Sequence, residues 1–131
     1  MKRPTFLDPL LKEPAGHFAL ANAATGSRLA ARVCGAFDSA SRRGGLLGRD
    51  TFADEALVIA PCEAVHTWFM RFAIDLLFVA RDGRVLRARP SVAAWRFAWR
   101  LGAFATIELP AGTLAATPVA AGDHVQLVAL E

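Results

Sequence analysis

Along residues 27–37 the positions fall into two parities, with Leu29, Ala31 and Val33 on one and Arg28, Ala30 and Arg32 on the other. A period of two is that of a half-buried strand, because successive side chains point to opposite faces. A second segment, 17–23, lies just before it across Ala24-Thr25-Gly26, and the two predict a hairpin. Further on, short apolar runs bounded by turn residues predict strands at 56–60, 65–72, 74–80, 84–89, 103–109 and 124–130. Asp82-Gly83 separates the third and fourth of these. Both residues tolerate positive φ, so the spacing predicts a hairpin closed by a two-residue primed turn. Asp38 is placed to cap one short helix, Ser39 to Arg43, that Gly44-Gly45 ends.

No element reaches the ten to twelve residues of a crossover helix, so a parallel α/β sheet is not expected. The pattern predicts a mainly β fold: a compact antiparallel β-barrel or sandwich with one short helix. Residues 1–15, punctuated by Pro4, Pro9 and Pro14, read as a flexible N-terminal arm, and 16–131 as a single β domain. At 131 residues, with 54% hydrophobic and 21% charged residues, the chain has ample material for one core.

The basic start Met1-Lys2-Arg3 is followed by Pro4, Asp8, Pro9, Lys12 and Glu13, which break any signal-like apolar run, and a cytoplasmic protein is expected. The uncharged run Leu109 to Gly122 contains two prolines and is too short to span a bilayer. Cys34 and Cys62 are expected to be free thiols, as in a reducing compartment. The net charge is +3, but Arg71 to Arg100 holds seven arginines against two acids, Asp75 and Asp82. Such a patch attracts phosphate or an acidic partner; the bland alternative is a set of arginines solvating outward strand faces. Nucleic-acid motifs are absent, so nucleic acid is not the expected partner.

The unusual chemistry concentrates between Pro61 and Val85, where Cys62, His66, Thr67, Met70, Arg71 and Asp75 sit in segments that pattern as strands. On a continuous strand His66, Trp68 and Met70 share one face and Thr67, Phe69 and Arg71 the other. Asp75 is then positioned to receive a hydrogen bond from His66 or to pair with Arg71. Two roles are open: a polar network that sets strand register, or a ligand-binding cluster of His66, Thr67, Met70, Arg71, Asp75, Trp95, Arg96 and Glu108, with His66 and Asp75 as candidate catalytic acid and base. No metal is expected, because Cys62, Glu63 and His66 fall short of a zinc set and His17 and His124 are distant in sequence. Cys62 is a poor nucleophile candidate beside Glu63, and no cofactor is expected. As a strand, Trp95-Arg96-Phe97-Ala98-Trp99-Arg100 puts three aromatics on one face, expected to form a buried lid over the end of the fold; exposed together, they would mark a contact surface.

The ordered motifs Gly45-Leu46-Leu47-Gly48-Arg49, Cys62-x-x-Val65-His66-Thr67-x-x-Met70-Arg71-Phe72-x-Ile74-Asp75-x-x-Phe78, Asp82-Gly83-Arg84-Val85, Glu108-Leu109-Pro110-Ala111-Gly112 and Gly122-Asp123 resemble those of the bacterial and archaeal domain-of-unknown-function family 192. The resemblance runs from Ser27 to Leu130 and implies a compact β-barrel or sandwich with one short helix, without a settled activity. Where many relatives carry Gly before the Met and Pro before the Ile-Asp pair, this chain has Phe69 and Ala73, and Ala93-Ala94-Trp95-Arg96 replaces Pro-Pro-Trp-Arg. Phe69 is therefore expected to narrow any shared pocket. The function expected is that of a small β-rich binding or accessory module, recognising a small molecule or a protein, with its site near His66, Asp75 and Glu108. A hydrolase or transferase acting on a small anionic or carbohydrate-like substrate, and a structural or oligomerising protein, are the alternatives.

Overall fold

The computed structural model describes residues 3–13, 17–37 and 52–130. Among these, the strands are β1 (Phe18–Asn22), β2 (Arg28–Ala30), β3 (Arg32–Ala36), β4 (Glu55–Ile59), β5 (Ala64–His66), β6 (Ile74–Val79), β7 (Val85–Val92), β8 (Phe97–Trp99), β9 (Ala105–Pro110) and β10 (Val125–Ala129), with short helices α1 (Asp8–Lys12) and α2 (Thr113–Ala116). They form a three-stranded sheet in the order β10-β1-β2, a five-stranded sheet in the order β3-β4-β9-β6-β7, and a two-stranded ribbon of β5 and β8. The sheets do not close on themselves, so of the two expected β architectures the sandwich is the one formed.

The five-stranded sheet lies in the middle. One face packs on the three-stranded sheet through Leu20, Val33, Val58, Leu77, Val79, Ile107 and Leu109. The other packs under the ribbon through Met70, Ile74, Leu76, Phe78, Val92 and Ala98. A strand covered on both faces has no solvent parity, which is why β6 and β9 read as nearly continuous apolar runs. Their polar members, Asp75, Thr106 and Glu108, are buried with the rest.

The hairpin predicted around Ala24-Thr25-Gly26 is present as β1 and β2. The single strand predicted over 27–37 is broken at Ala31, whose N–H turns to the Asp54 carbonyl and side chain at 3.2 and 3.1 Å. The chain thereby leaves one sheet as β2 and enters the other as β3. There β3 pairs with β4 in parallel, Arg32 opposite Glu55 and Ala36 opposite Ile59, against the expectation of wholly antiparallel pairing. Residues 37–54 provide the length such a crossover needs. The helix expected from Ser39 to Arg43 and the Gly45 to Arg49 motif lie outside the described residues.

The β6–β7 hairpin also forms, but with a three-residue turn rather than the two-residue one expected. Ala80 N–H donates to the Arg84 carbonyl at 2.9 Å, enclosing Arg81-Asp82-Gly83, and of these only Gly83 takes a positive φ, +87°. The glycine is needed twice over, since a Cβ there would collide with the Val125 carbonyl oxygen.

Residues 3–13 do not form the loose arm expected of them. Pro9 opens α1 and Thr5 Oγ1 donates to Asp8 Oδ1 at 2.9 Å, which suits a helix start. Leu7 and Leu10, fully buried, extend the main core, and Phe6 N–H donates to the Arg81 carbonyl at 2.7 Å. The prolines that suggest an open arm instead punctuate a short docked helix.

Candidate functional site

The stretch 65–72 was expected to be one strand, yet β5 ends at His66 and the chain turns at Trp68 and Phe69. Thr67 holds the turn. Its hydroxyl donates to the Ala93 carbonyl at 2.6 Å and accepts the Arg96 N–H at 2.8 Å. Its backbone N–H donates to the Arg96 carbonyl at 2.8 Å and its carbonyl accepts the Trp95 N–H at 3.0 Å. Thr67 is thus a buried clasp between the 67–70 and 93–96 turns, which puts the aromatics of both turns side by side.

The turn also scrambles the face assignment made on a continuous strand. Met70 is buried in the core under the ribbon while His66, Trp68, Phe69 and Arg71 are exposed. In the ribbon, Val65 and Ala98 face inward, and His66 lies opposite Phe97 on the outer face. The Trp95–Arg100 segment is therefore not the buried lid expected. Trp68, Phe69, Trp95, Phe97, Trp99 and Leu101 are each between 47% and 71% exposed, and every tryptophan of the chain is among them. The side chains that point inward at this point are small, such as Ala98, so the aromatics have nowhere to go but out.

Their rings pack on one another rather than into the core. His66 stacks on Trp68 with centroids 4.6 Å apart, Phe69 meets Trp95 at 4.6 Å and Phe97 meets Trp99 at 5.5 Å. Phe69 and Trp95 have positive φ of 65° and 63°. For bulky residues this backbone region costs about 1–3 kcal/mol each. The Phe69 ring is largely exposed to solvent. Phe69→Gly is expected to stabilise the fold by about 1 kcal/mol, because the strain relieved exceeds what the largely exposed ring contributes by stacking on Trp95. Urea denaturation checks this; a destabilisation of more than about 1 kcal/mol would mean that packing holds Phe69 in place.

Arginines border the aromatic face. Arg71, Arg96 and Arg100 extend from the ribbon and its turns, and the Arg87 guanidinium donates to the Trp99 carbonyl at 2.7 Å with its Cζ 6.0 Å from the Trp99 ring centroid. Glu63, which accepts the Gly102 N–H at 2.6 Å, is the acid of the ribbon segments.

Asp75 and Glu108 are elsewhere, and apart. Asp75 lies on the main-core face of β6, where its two carboxylate oxygens accept the Ser91 and Leu114 N–H groups at 2.8 Å each. It sits where β7 bulges, Pro90 and Ser91 lying between the partners of Ile74 and Leu76. Glu108 is opposite Leu76 and Leu57, on the face under the ribbon. At 7% exposed it has no hydrogen-bond or ion-pair partner among the described residues, and burial pushes its carboxyl up to about 7. A carboxyl titrating there can give or take a proton near neutral pH.

The suggested His66–Asp75 acid/base pair therefore does not assemble. The predicted set divides into exposed His66, Arg71, Trp95 and Arg96, a structural clasp and core in Thr67 and Met70, and two carboxyls on opposite faces of the central sheet. Of the exposed aromatics, sequence reasoning put only Trp95 in the ligand-binding set and gave Phe97 and Trp99 as a contact surface only if exposed; the signal available was aromatics interleaved with arginines in a segment too short to be a core strand. Cys34 and Cys62 are free and partly buried, Cys62 Sγ donating to the Ala64 carbonyl at 3.1 Å.

The fold is shared with other proteins. The DUF192 family model, described as Uncharacterized ACR, matches residues 20–127, and the chain belongs to that family. No curated protein matches it. Among solved structures it is similar to a protein described as a candidate transcription regulator from Sinorhizobium meliloti 1021, at 22% identity and a TM-score of 0.71 over 84% of this chain and 91% of that one. It is also similar to a protein of unknown function from Novosphingobium aromaticivorans DSM 12444, at 20% identity and a TM-score of 0.72 over 82% of this chain and 83% of the other. Likeness at these identities is one of fold. No helix among the described residues is long and apolar enough to cross a membrane.

Proposed function

We propose that this protein is a small docking module whose outer ribbon face, built on His66, Trp68, Phe69, Trp95, Phe97 and Trp99, binds an acidic protein surface. The observation that carries the reading is the exposure of these aromatics together, two of them on strained backbone, on a face whose inward positions are already filled. Aromatic and arginine side chains in one patch are the composition of protein-interface centres. Arg87, Arg96 and Arg100 against Glu63 select for negative charge. The same charges repel a second copy docking face to face.

A photo-crosslinking amino acid placed at Phe97, at Trp95 and, on the far sheet, at Gln126 tests this in cells. One protein adduct shared by the two ribbon positions, absent from Gln126 and lost on Arg96→Glu, is the expected result. With that partner purified, affinity should weaken about tenfold for Trp99→Ser, a hot-spot loss, and should fall with salt. Adducts only to lipid, only to the protein itself, or equally from Gln126 would overturn the reading.

A further inference from the structure

Beyond the Gly102 end of the ribbon segments, a second set of arginines lines an open cavity. Three separate segments build it: Arg3 and Pro4 before α1, the β6–β7 turn from Ala80 to Arg84, and Gly102 to Phe104 ahead of β9, with Pro61 closing the side. Its volume is about 650 Å³, the size of small-molecule sites. Two of the contacts already described keep the walls in place: Phe6 N–H on the Arg81 carbonyl fixes the first segment to the turn, and Gly83 lets that turn lie against Phe6 and Val125.

The chemistry of the lining is cationic. Arg3, Arg81 and Arg84 face the cavity, and none of the three has a carboxylate partner among the described residues. The Arg81 guanidinium lies over the Phe104 ring, Cζ 4.7 Å from the centroid. A cation over a ring face is attracted by it, which restrains the Arg81 side chain at the cleft, and a guanidinium suits a bidentate acceptor. The single acid of the lining, Asp82, is engaged. Its Oδ1 accepts the Arg84 N–H at 3.0 Å, which with His124 keeps the carboxyl below its usual range, and Oδ2 lies 3.5 Å from His124 Nε2. Three arginines lining one cleft make it a place of positive potential, which an anion would relieve.

We infer that this cavity binds a small phosphorylated molecule, its phosphate held by Arg81 and Arg84 from the turn and Arg3 from the N-terminal segment, with Phe104 supporting Arg81 from beneath. The site differs from the protein-docking face in its ligand, a compact anion rather than a surface, although its Gly102–Phe104 wall follows directly on Trp99–Leu101 and is hydrogen-bonded to Arg100 and Glu63.

Isothermal titration calorimetry of the full chain with inorganic pyrophosphate tests the inference. The expected result is saturable one-to-one binding that weakens about tenfold or more in Arg81→Gln and in Arg84→Gln, as loss of a charge-assisted contact demands. Arg28→Gln, which removes the same charge from an exposed position on β2, should bind as the wild type does. ADP and glucose 6-phosphate, titrated in parallel, distinguish a nucleotide from a sugar phosphate as the natural source. The three substituted arginines are on the surface, and circular dichroism of each variant confirms folding before titration. Absence of pyrophosphate binding to the wild type overturns the inference. So does equal weakening in Arg28→Gln, which would assign the anion to net charge, or unchanged affinity in both turn variants.

Discussion

Glu108→Gln is expected to stabilise this protein by about 3 kcal/mol at about pH 8 and to leave stability at about pH 4 nearly unchanged. The reason is burial: the carboxyl sits among Leu57 and Leu76 under the ribbon, and desolvation raises it from 4.5 to about 7. At low pH it is neutral in both folded and unfolded chains, so ionisation contributes nothing. As pH rises from about 4.5 to about 7 the unfolded chain releases the proton while the folded chain holds it, and stability falls. Above about 7 both are ionised and the penalty stays constant. Glutamine keeps the shape of the neutral acid and removes the titration, so the variant should lose that fall. Urea denaturation of both proteins at the two pH values measures the difference directly. An equal effect at both would show that Glu108 carries no buried charge at neutral pH.

Asp75→Ala should have a comparable effect of opposite sign. Two N–H groups, the buried one of Leu114 and the partly exposed one of Ser91, depend on this one carboxylate, and an unsatisfied buried donor costs about 1–3 kcal/mol. The substitution is expected to destabilise by about 3–5 kcal/mol, and Asp75→Asn, which still offers one acceptor oxygen, by about 2 kcal/mol. Hydrogen exchange locates the damage: the Ser91 and Leu114 amides should lose protection first, since Asp75 is what secures the β7 bulge and α2 to the central sheet. If those amides keep their protection in Asp75→Ala, the carboxylate is not the anchor.

Much of the strand order was legible because turns announce themselves. Asp82-Gly83, Pro110-Ala111-Gly112 and Ala121-Gly122-Asp123 all fall between elements or at their ends, as their backbone preferences require. What period-two reasoning could not distinguish was a strand covered on one face from one covered on both. In β6 and β9 the second cover comes from the ribbon, whose two strands, Ala64–His66 and Phe97–Trp99, are separated in sequence and meet only in the fold. Polar side chains in those strands then read as site residues because strands built only to pack are expected to carry aliphatic residues. The turn at Trp68-Phe69 was hidden for another reason. It contains no glycine or proline, and depends on the Thr67 clasp to residues 93–96, a contact invisible to local pattern. The unusual residue types between Pro61 and Val85 did mark a part of the molecule with exposed chemistry, but sequence adjacency brought Asp75 into a group from which the fold removes it. The N-terminal segment was misjudged by its prolines, although Leu7 and Leu10, at i and i+3, carried the helical signal.

The strand that carries Glu108 has one more consequence, for the making of the protein. In the five-stranded sheet β9 lies between β4 and β6, yet it is the last of the five to be synthesised. Until Ala105 to Pro110 emerges, the β3–β4 pair and the β6–β7 hairpin are two unjoined halves, each presenting a bare apolar edge. The central sheet is completed by threading a late segment between earlier ones, a step made of non-local pairings and therefore slow. A nascent chain halted at the Trp99–Gly102 turn would hold both halves and lack the piece that joins them, and it is in that interval that it is most open to aggregation and to chaperone capture.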